Sequence, residues 1–218
     1  IDMRGLLVKD IELMKQQKQF FILVVVMGII LNLTGSGSVS FATGYFTIIT
    51  AIFVITTMSY DEFDNGFVFL MTLPITRKQY VAEKYLLGTG LTIVAWAVAT
   101  VLALICKFVA NRGESVSEIM IGGVATVPVA LLMLAMFIPL GIYFGVEKGR
   151  YIAIVLWIII IAVVYTLVKT MGLSEETVSA WLNGLNWGIA FVVAALITVI
   201  GYLCSFWISA QFMEKKEF

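Results

Sequence analysis

The sequence contains no histidine, only two cysteines and three prolines, and charged side chains make up just 13% of its 218 residues. Without histidine there is no imidazole to act as a proton shuttle or metal ligand near neutral pH. Lysine and arginine balance aspartate and glutamate at 14 each, so the basic footprint of a nucleic-acid binder is missing. Cys106 and Cys204 lie in or at the end of apolar runs with no CxxC spacing, and read as small core residues rather than a disulfide or metal pair. No GxxxxGK[ST] loop, HExxH helix or GxSxG elbow occurs, so this chain is not expected to hydrolyse nucleotide itself or to carry a cofactor or metal.

What the chain has in abundance is apolar surface: 61% hydrophobic residues and a mean hydropathy of +1.03. A soluble domain is about half apolar and a quarter charged, so these values identify an integral membrane protein. Five windows, 19–60, 85–106, 119–146, 151–168 and 177–213, hold no Asp, Glu, Lys or Arg. A crossing needs about 20 residues. The first window is divided by the Gly/Ser turn at 34–38, and the last is broken by Asn and Gly in its first part. Six crossings are therefore predicted, at about 19–33, 39–60, 85–109, 119–146, 151–168 and 189–212. Met3 reads as the natural start, and no cleavage pattern precedes the first crossing, which is expected to stay as an anchor.

Lysine and arginine set the orientation. Eleven fall on one side: Arg4, Lys9, Lys15, Lys18, Arg77, Lys78, Lys84, Lys148, Arg150, Lys215 and Lys216. Three (Lys107, Arg112, Lys169) fall on the other, so both termini are expected in the cytoplasm. Ahead of the first crossing, residues 3–18 place Met3, Leu7, Ile11 and Met14 near one helical face and Lys9, Asp10, Lys15, Gln16 and Gln17 toward others, the pattern of an interfacial helix. On the outer side, residues 174–187 begin with a capping Ser174 and acidic Glu175 and Glu176, then set Val178, Trp181, Leu182 and Leu185 at helical spacing. That segment is expected to dip back into the outer leaflet.

The crossings themselves hold no ionisable group of the sort that couples carriers to protons or sodium, and no ring-forming charge or carbonyl filter of a channel. Energy is expected from a partner. In the fourth crossing Pro128 and Pro139 each remove a helix hydrogen bond, and Gly141-x-x-x-Gly145 would put two glycines on one face. Ordinary membrane packing, common with Gly and Pro in such helices, is the favoured explanation of both. Thr50, Thr56, Thr57 and Ser59 read as hydroxyls bonded to their own helix rather than as a polar path.

The loop at 61–77 carries the richest mixture of chemistry. Asp61, Glu62 and Asp64 form an acidic cluster. Phe67, Phe69, Leu70 and Leu73 follow as apolar knobs, Pro74 ends the short helix, and Arg77 begins the return to the membrane. Such an element can seat in a groove of a soluble partner, or serve as a solvated connector against headgroups. Tyr60-Asp61-Glu62, Leu73-Pro74-Ile75-Thr76-Arg77, Val81, Glu83-Lys84-Tyr85 and the opening Arg4-Gly5-Leu6-Leu7-Val8-Lys9-Asp10 together resemble the ABC type-2 permease family. Within it the chain is most similar to the small six-span permeases of phenol-soluble modulin exporters.

The resemblance implies an all-α polytopic protein in which 1–218 form one transmembrane permease domain without a nucleotide-binding domain. It further implies a half-transporter of the bacterial cell membrane: two permease copies, identical or sister chains, on separate ATPase subunits that hold the ATP and magnesium. The loop from Asp61 to Arg77 would be the coupling helix, touching the ATPase through Asp61, Glu62, Asp64, Phe67, Phe69, Leu70, Leu73, Pro74 and Arg77. Residues 3–18 would support it, and 174–187 would roof the exit. The implied cargo is an amphipathic, membrane-active peptide, exported as a self-made product or expelled as a foreign antibiotic. A non-transporting scaffold or sensor with the same fold is the reading from another class.

Overall fold

The computed structural model describes residues 3–34, 39–63, 66–110, 115–170 and 187–216, and within them every element is an α-helix. In chain order these are α1 (Met3–Gln16), α2 (Lys18–Thr34), α3 (Val39–Glu62), α4 (Gly66–Thr72), α5 (Arg77–Ala110), α6 (Val116–Phe144), α7 (Val146–Thr170) and α8 (Trp187–Lys215). Five of them, α3 and α5 to α8, are long and apolar enough to cross a bilayer, and α1 with α2 adds a sixth candidate if that pair is counted as one span bent by 65°. The Gly/Ser turn predicted at 34–38 and the outer segment predicted at 174–187 fall, apart from their edge residues Thr34 and Trp187, outside the described residues, as does Asp64.

The helix boundaries follow local chemistry. Thr76 and Gln79 cap the start of α5 reciprocally: Thr76 N–H donates to Gln79 Oε1 at 2.9 Å, and Gln79 N–H donates to Thr76 Oγ1 at 3.2 Å. Ser115 and Glu118 do the same for α6, at 3.1 and 2.8 Å. Each exchange satisfies two backbone donors that a helix start leaves open. Because Thr76 fixes the start, α5 begins two turns before the predicted crossing at 85. Tyr80, Glu83 and Lys84 therefore lie in a helix and not in a loop.

Gly145 corrects the expected Gly141-x-x-x-Gly145 packing face. It adopts φ +84°, a conformation that side chains disfavour, and it separates α6 from α7 instead of extending α6. The close approach is made by Gly149, where an added Cβ would stand 2.7 Å from the Leu140 carbonyl. Pro128 and Pro139 sit inside α6, which continues through both.

The core lies where α3 meets α5 and α6. Val54, Ile55, Met58, Tyr80, Leu134, Ile138 and Ile142 are all but fully enclosed there. α3 is the most enclosed of the five candidate spans, whereas α7 and α8 present long apolar faces outward to what would be lipid. Cys106 is buried as expected, but Cys204 is exposed on α8, where its face of that helix is not covered by the described residues. Cross-contacts gather the helix ends at one pole: Gln17 donates to Tyr60 Oη at 2.7 Å, Lys216 to the Ile142 carbonyl at 3.0 Å, and Arg77 to the Met213 carbonyl at 3.3 Å.

Candidate functional site

That pole carries both the short helix α4 and a buried cluster of charges. The ammonium of Lys84, fully enclosed, stands 2.8 Å from Asp61 Oδ2 and 3.4 Å from Glu83 Oε2, and donates to Asp10 Oδ2 and to Thr57 Oγ1 (3.2 Å). Lys9, half-buried at the rim, pairs with Asp61 and lies 2.9 Å from Asp10 Oδ1. Tyr80 donates its hydroxyl to Asp61 Oδ2 at 3.1 Å, and its ring lies 5.1 Å from the Lys84 ammonium. Three carboxylates thus face two ammoniums across α1, α3 and α5. Burying a charge is tolerated only with such pairing. Burial pushes the Asp10 carboxyl up, but Lys84 and Lys9 beside it outweigh burial and hold it below the ordinary carboxylate value.

Glu83 is the exception within the cluster. Both of its oxygens are buried without a hydrogen-bond partner, and Lys84 at 3.4 Å is its nearest compensating charge. Among the described residues no group of three His, Cys, Asp or Glu side chains is placed to hold a metal ion.

α4 has two unlike faces. Phe67 and Leu70 turn into the core, with the Phe67 ring edge-on to Tyr80 at 5.3 Å and the Lys216 ammonium over the Phe67 ring, 5.0 Å from its centroid. Phe69 is 68% exposed, and Val68 beside it is exposed too; Phe63, just past the end of α3, is 72% exposed. The set of nine predicted contact residues is therefore divided. Asp61 belongs to the buried charge cluster, and Phe67 and Leu70 to the core, because α4 needs an inner face to stay on the bundle. Glu62 accepts the Val146 N–H at 2.6 Å and so caps the start of α7. Arg77 donates to the carbonyls of Met213 and Glu214 at the end of α8. Leu73 is half-buried in the turn, whereas Pro74 and Phe69 are open to solvent.

Two sequence expectations about α1 also change. Asp10, expected on the polar side, occupies the centre of the inward face beside Leu6, because Lys84 waits for it there. Ile11, expected with Met3, Leu7 and Met14, turns outward. Thr57 bonds back to the Val54 carbonyl at 2.9 Å as expected, while also receiving Lys84, but Thr50, expected to do the same, has its hydroxyl buried with no hydrogen-bond partner among the described residues.

The arrangement ties helix ends together: α4 packs against α3 and α5, Glu62 at the end of α3 binds the start of α7, and Lys216, just past α8, binds the Ile142 carbonyl of α6. A second linkage runs deeper. Pro139 has no N–H for the carbonyl of Ala135, four residues back. Ser205 on α8 donates to that carbonyl, and its hydroxyl also bonds Tyr85 Oη on α5 at 2.6 Å, with Ser209 at 2.8 Å. α5, α6 and α8 are joined at the proline.

Neither a curated protein nor a solved structure gives a significant match to this chain. The family model described as ABC-2 family transporter protein matches residues 5–214, from the first turn of α1 to the last of α8. With several apolar helices and that match over nearly its whole length, the chain belongs to the ABC-2 transporter family, the multi-pass membrane subunits of ABC transporters, whose ATPase is a separate partner subunit.

Proposed function

We propose that this chain is the permease subunit of an exporter for amphipathic or apolar peptides, of the kind that moves phenol-soluble modulins. It works as a pair of copies in the bacterial cell membrane with both termini in the cytoplasm, and ATP and magnesium bind on the partner. The observation that carries this reading is the two-faced build of α4. Its inner side is locked to α3 and α5 through Phe67 and Leu70, its outer side offers Phe69 and Val68 to a partner groove, and Phe63, just past the end of α3, is exposed as well. A solvated connector has no need of an exposed phenylalanine and valine side by side on a short helix whose other face is packed on the bundle. Apolar cargo is supported by a crevice of about 310 Å³ between α5, α6 and α8, lined by Ile93, Trp96, Val127, Pro128, Phe191 and Val199, with no charged wall.

The test is ATP-dependent uptake of a fluorescent amphipathic helical peptide into inside-out vesicles holding the permease and its ATPase, beside a hydrophilic peptide of equal length. Uptake of the amphipathic peptide alone is expected. ATP hydrolysis without movement of any peptide would replace this reading with the scaffold, and uptake that ignores ATP and collapses with ionophores would replace it with a secondary carrier.

A further inference from the structure

The outward face of α1 is not explained by anything α1 does inside the chain. At 3.6 residues per turn, Arg4, Val8, Ile11 and Lys15 fall within about 60° of arc, roughly opposite the inward Leu6 and Asp10. All four are exposed, Val8 at 59% and Ile11 at 44%. Lys18, exposed at the first residue of α2, extends the row past the bend. Beside the row on one flank lie the half-buried Met3, Leu7 and Met14; on the other lie Gly5, Glu12 and Gln16, all exposed. Lys15 pairs with Glu12 at 2.6 Å along that polar edge.

The bend supplies a second, independent constraint. α1 leaves α2 at 65°. With α2 along the membrane normal, the complement of that angle leaves α1 about 25° from the membrane plane. A helix so placed has one side toward the acyl boundary and one toward water, and its sequence divides accordingly: apolar positions with basic residues between and beyond them, then a polar edge. Long cationic side chains at such a position lay their stems on apolar surface and raise the charge to headgroup phosphates.

We propose that the row Arg4, Val8, Ile11, Lys15 and Lys18 is a binding surface for anionic phospholipid headgroups, with Val8 and Ile11 inserted between the acyl chains and the three cations paired to phosphate. Arg4 and Lys15 lie roughly 17 Å apart along the α1 axis at 1.5 Å per residue, with Lys18 beyond the bend, long enough to meet more than one headgroup. Each contributes roughly a fivefold preference for an anionic surface. Because Asp10 on the same helix is fixed to Lys84, lipid composition reaches the charge cluster beside α4 through one rigid element. Lipid binding here is independent of whether α4 docks an ATPase.

The test places a bimane fluorophore on Val8→Cys in a Cys106→Ala, Cys204→Ala background and reads quenching by neutral acrylamide in vesicles. Phosphatidylcholine vesicles are compared with the same vesicles carrying phosphatidylglycerol. Quenching several-fold weaker with phosphatidylglycerol is expected. That difference should vanish in the Arg4→Gln, Lys15→Gln, Lys18→Gln variant, and also in about 1 M salt, where screening acts within about 3 Å. These are exposed positions, so the variant should keep the folded elution profile of the parent. Equal quenching in the two vesicle types would overturn the proposal. Shielding that appears only when the ATPase is added would overturn it too, and would give this face to the ATPase.

Discussion

Replacing Lys84 with Met keeps the length and most of the volume of a fully enclosed side chain and removes only its ammonium. What is lost can be followed atom by atom: the close contacts to Asp10 and Asp61, the 3.2 Å bond to Thr57 and the cation over the Tyr80 ring. Lys9 at the rim is then the sole cation left to Asp10 and Asp61, and Glu83 has none within ion-pair distance among the described residues. Removing one partner from a buried ion pair costs about 3–5 kcal/mol, because the charge left behind is uncompensated. Glu83→Gln does the reverse. It takes away the carboxylate that makes three against two and that accepts no hydrogen bond, so its effect should stay within about 1 kcal/mol in either direction. Unfolding in mixed micelles by titration with a denaturing detergent, followed by tryptophan fluorescence, measures both. A Lys84→Met protein within about 1 kcal/mol of the parent, or a Glu83→Gln loss as large as that of Lys84→Met, would refute the assignment of Lys84 as the cation that holds α1, α3 and α5 together.

Ser205→Ala should cost about 0.6–1.7 kcal/mol in the same assay, the range for interhelical bonds in membranes, by leaving unpaired the carbonyl of Ala135 that Pro139 releases. Gly149→Ala should cost about 1–3 kcal/mol through overpacking, since its Cβ would meet the Leu140 backbone at 2.7 Å and push α6 from α7. The depressed Asp10 pKa gives a signed pH effect: its contribution is whole above its unfolded value near 3.8 and disappears as pH falls through the lower folded value. The difference in stability between the parent and Asp10→Asn should accordingly be constant from neutral pH down to about that value and shrink below it, and thermal unfolding across this range reads it directly.

Five of the six predicted spans were legible because a bilayer imposes one rule on every turn, and charge-free runs of about 20 residues are its direct record; the first, predicted at 19–33, counts as a span only together with the bent α1. The charge cluster was not, because a charge counts against burial unless its partner is known, and Asp10, Asp61 and Lys84 are separated by 51 and 23 residues of chain. A trace was present all the same. Lys84 repeats on one helical face with Tyr80, Leu87 and Leu91, and Asp61 with Val54 and Met58, all of them buried. A lone charge on an apolar stripe signals a buried pair, whereas counting Lys84 among loop charges hides it. The caps Thr76-x-x-Gln79 and Ser115-x-x-Glu118 were readable as well, and would have started α5 at Arg77. The division of α4 into an inner and an outer face depends on where Tyr80 and Lys216 come to lie, which spacing within a seven-residue helix does not reveal.

Co-purification tests the central claim most directly: tagged parent and Phe69→Asp proteins are extracted from native membranes in mild detergent, and the material retained is weighed and assayed for ATP hydrolysis. The account predicts a stoichiometric ATPase with the parent, and its loss with Phe69→Asp while the permease itself elutes unchanged, since Phe69 lies outside the core. An ATPase retained equally by both proteins would contradict α4 as the docking element, and a parent that emerges alone in several detergents would contradict the pairing altogether.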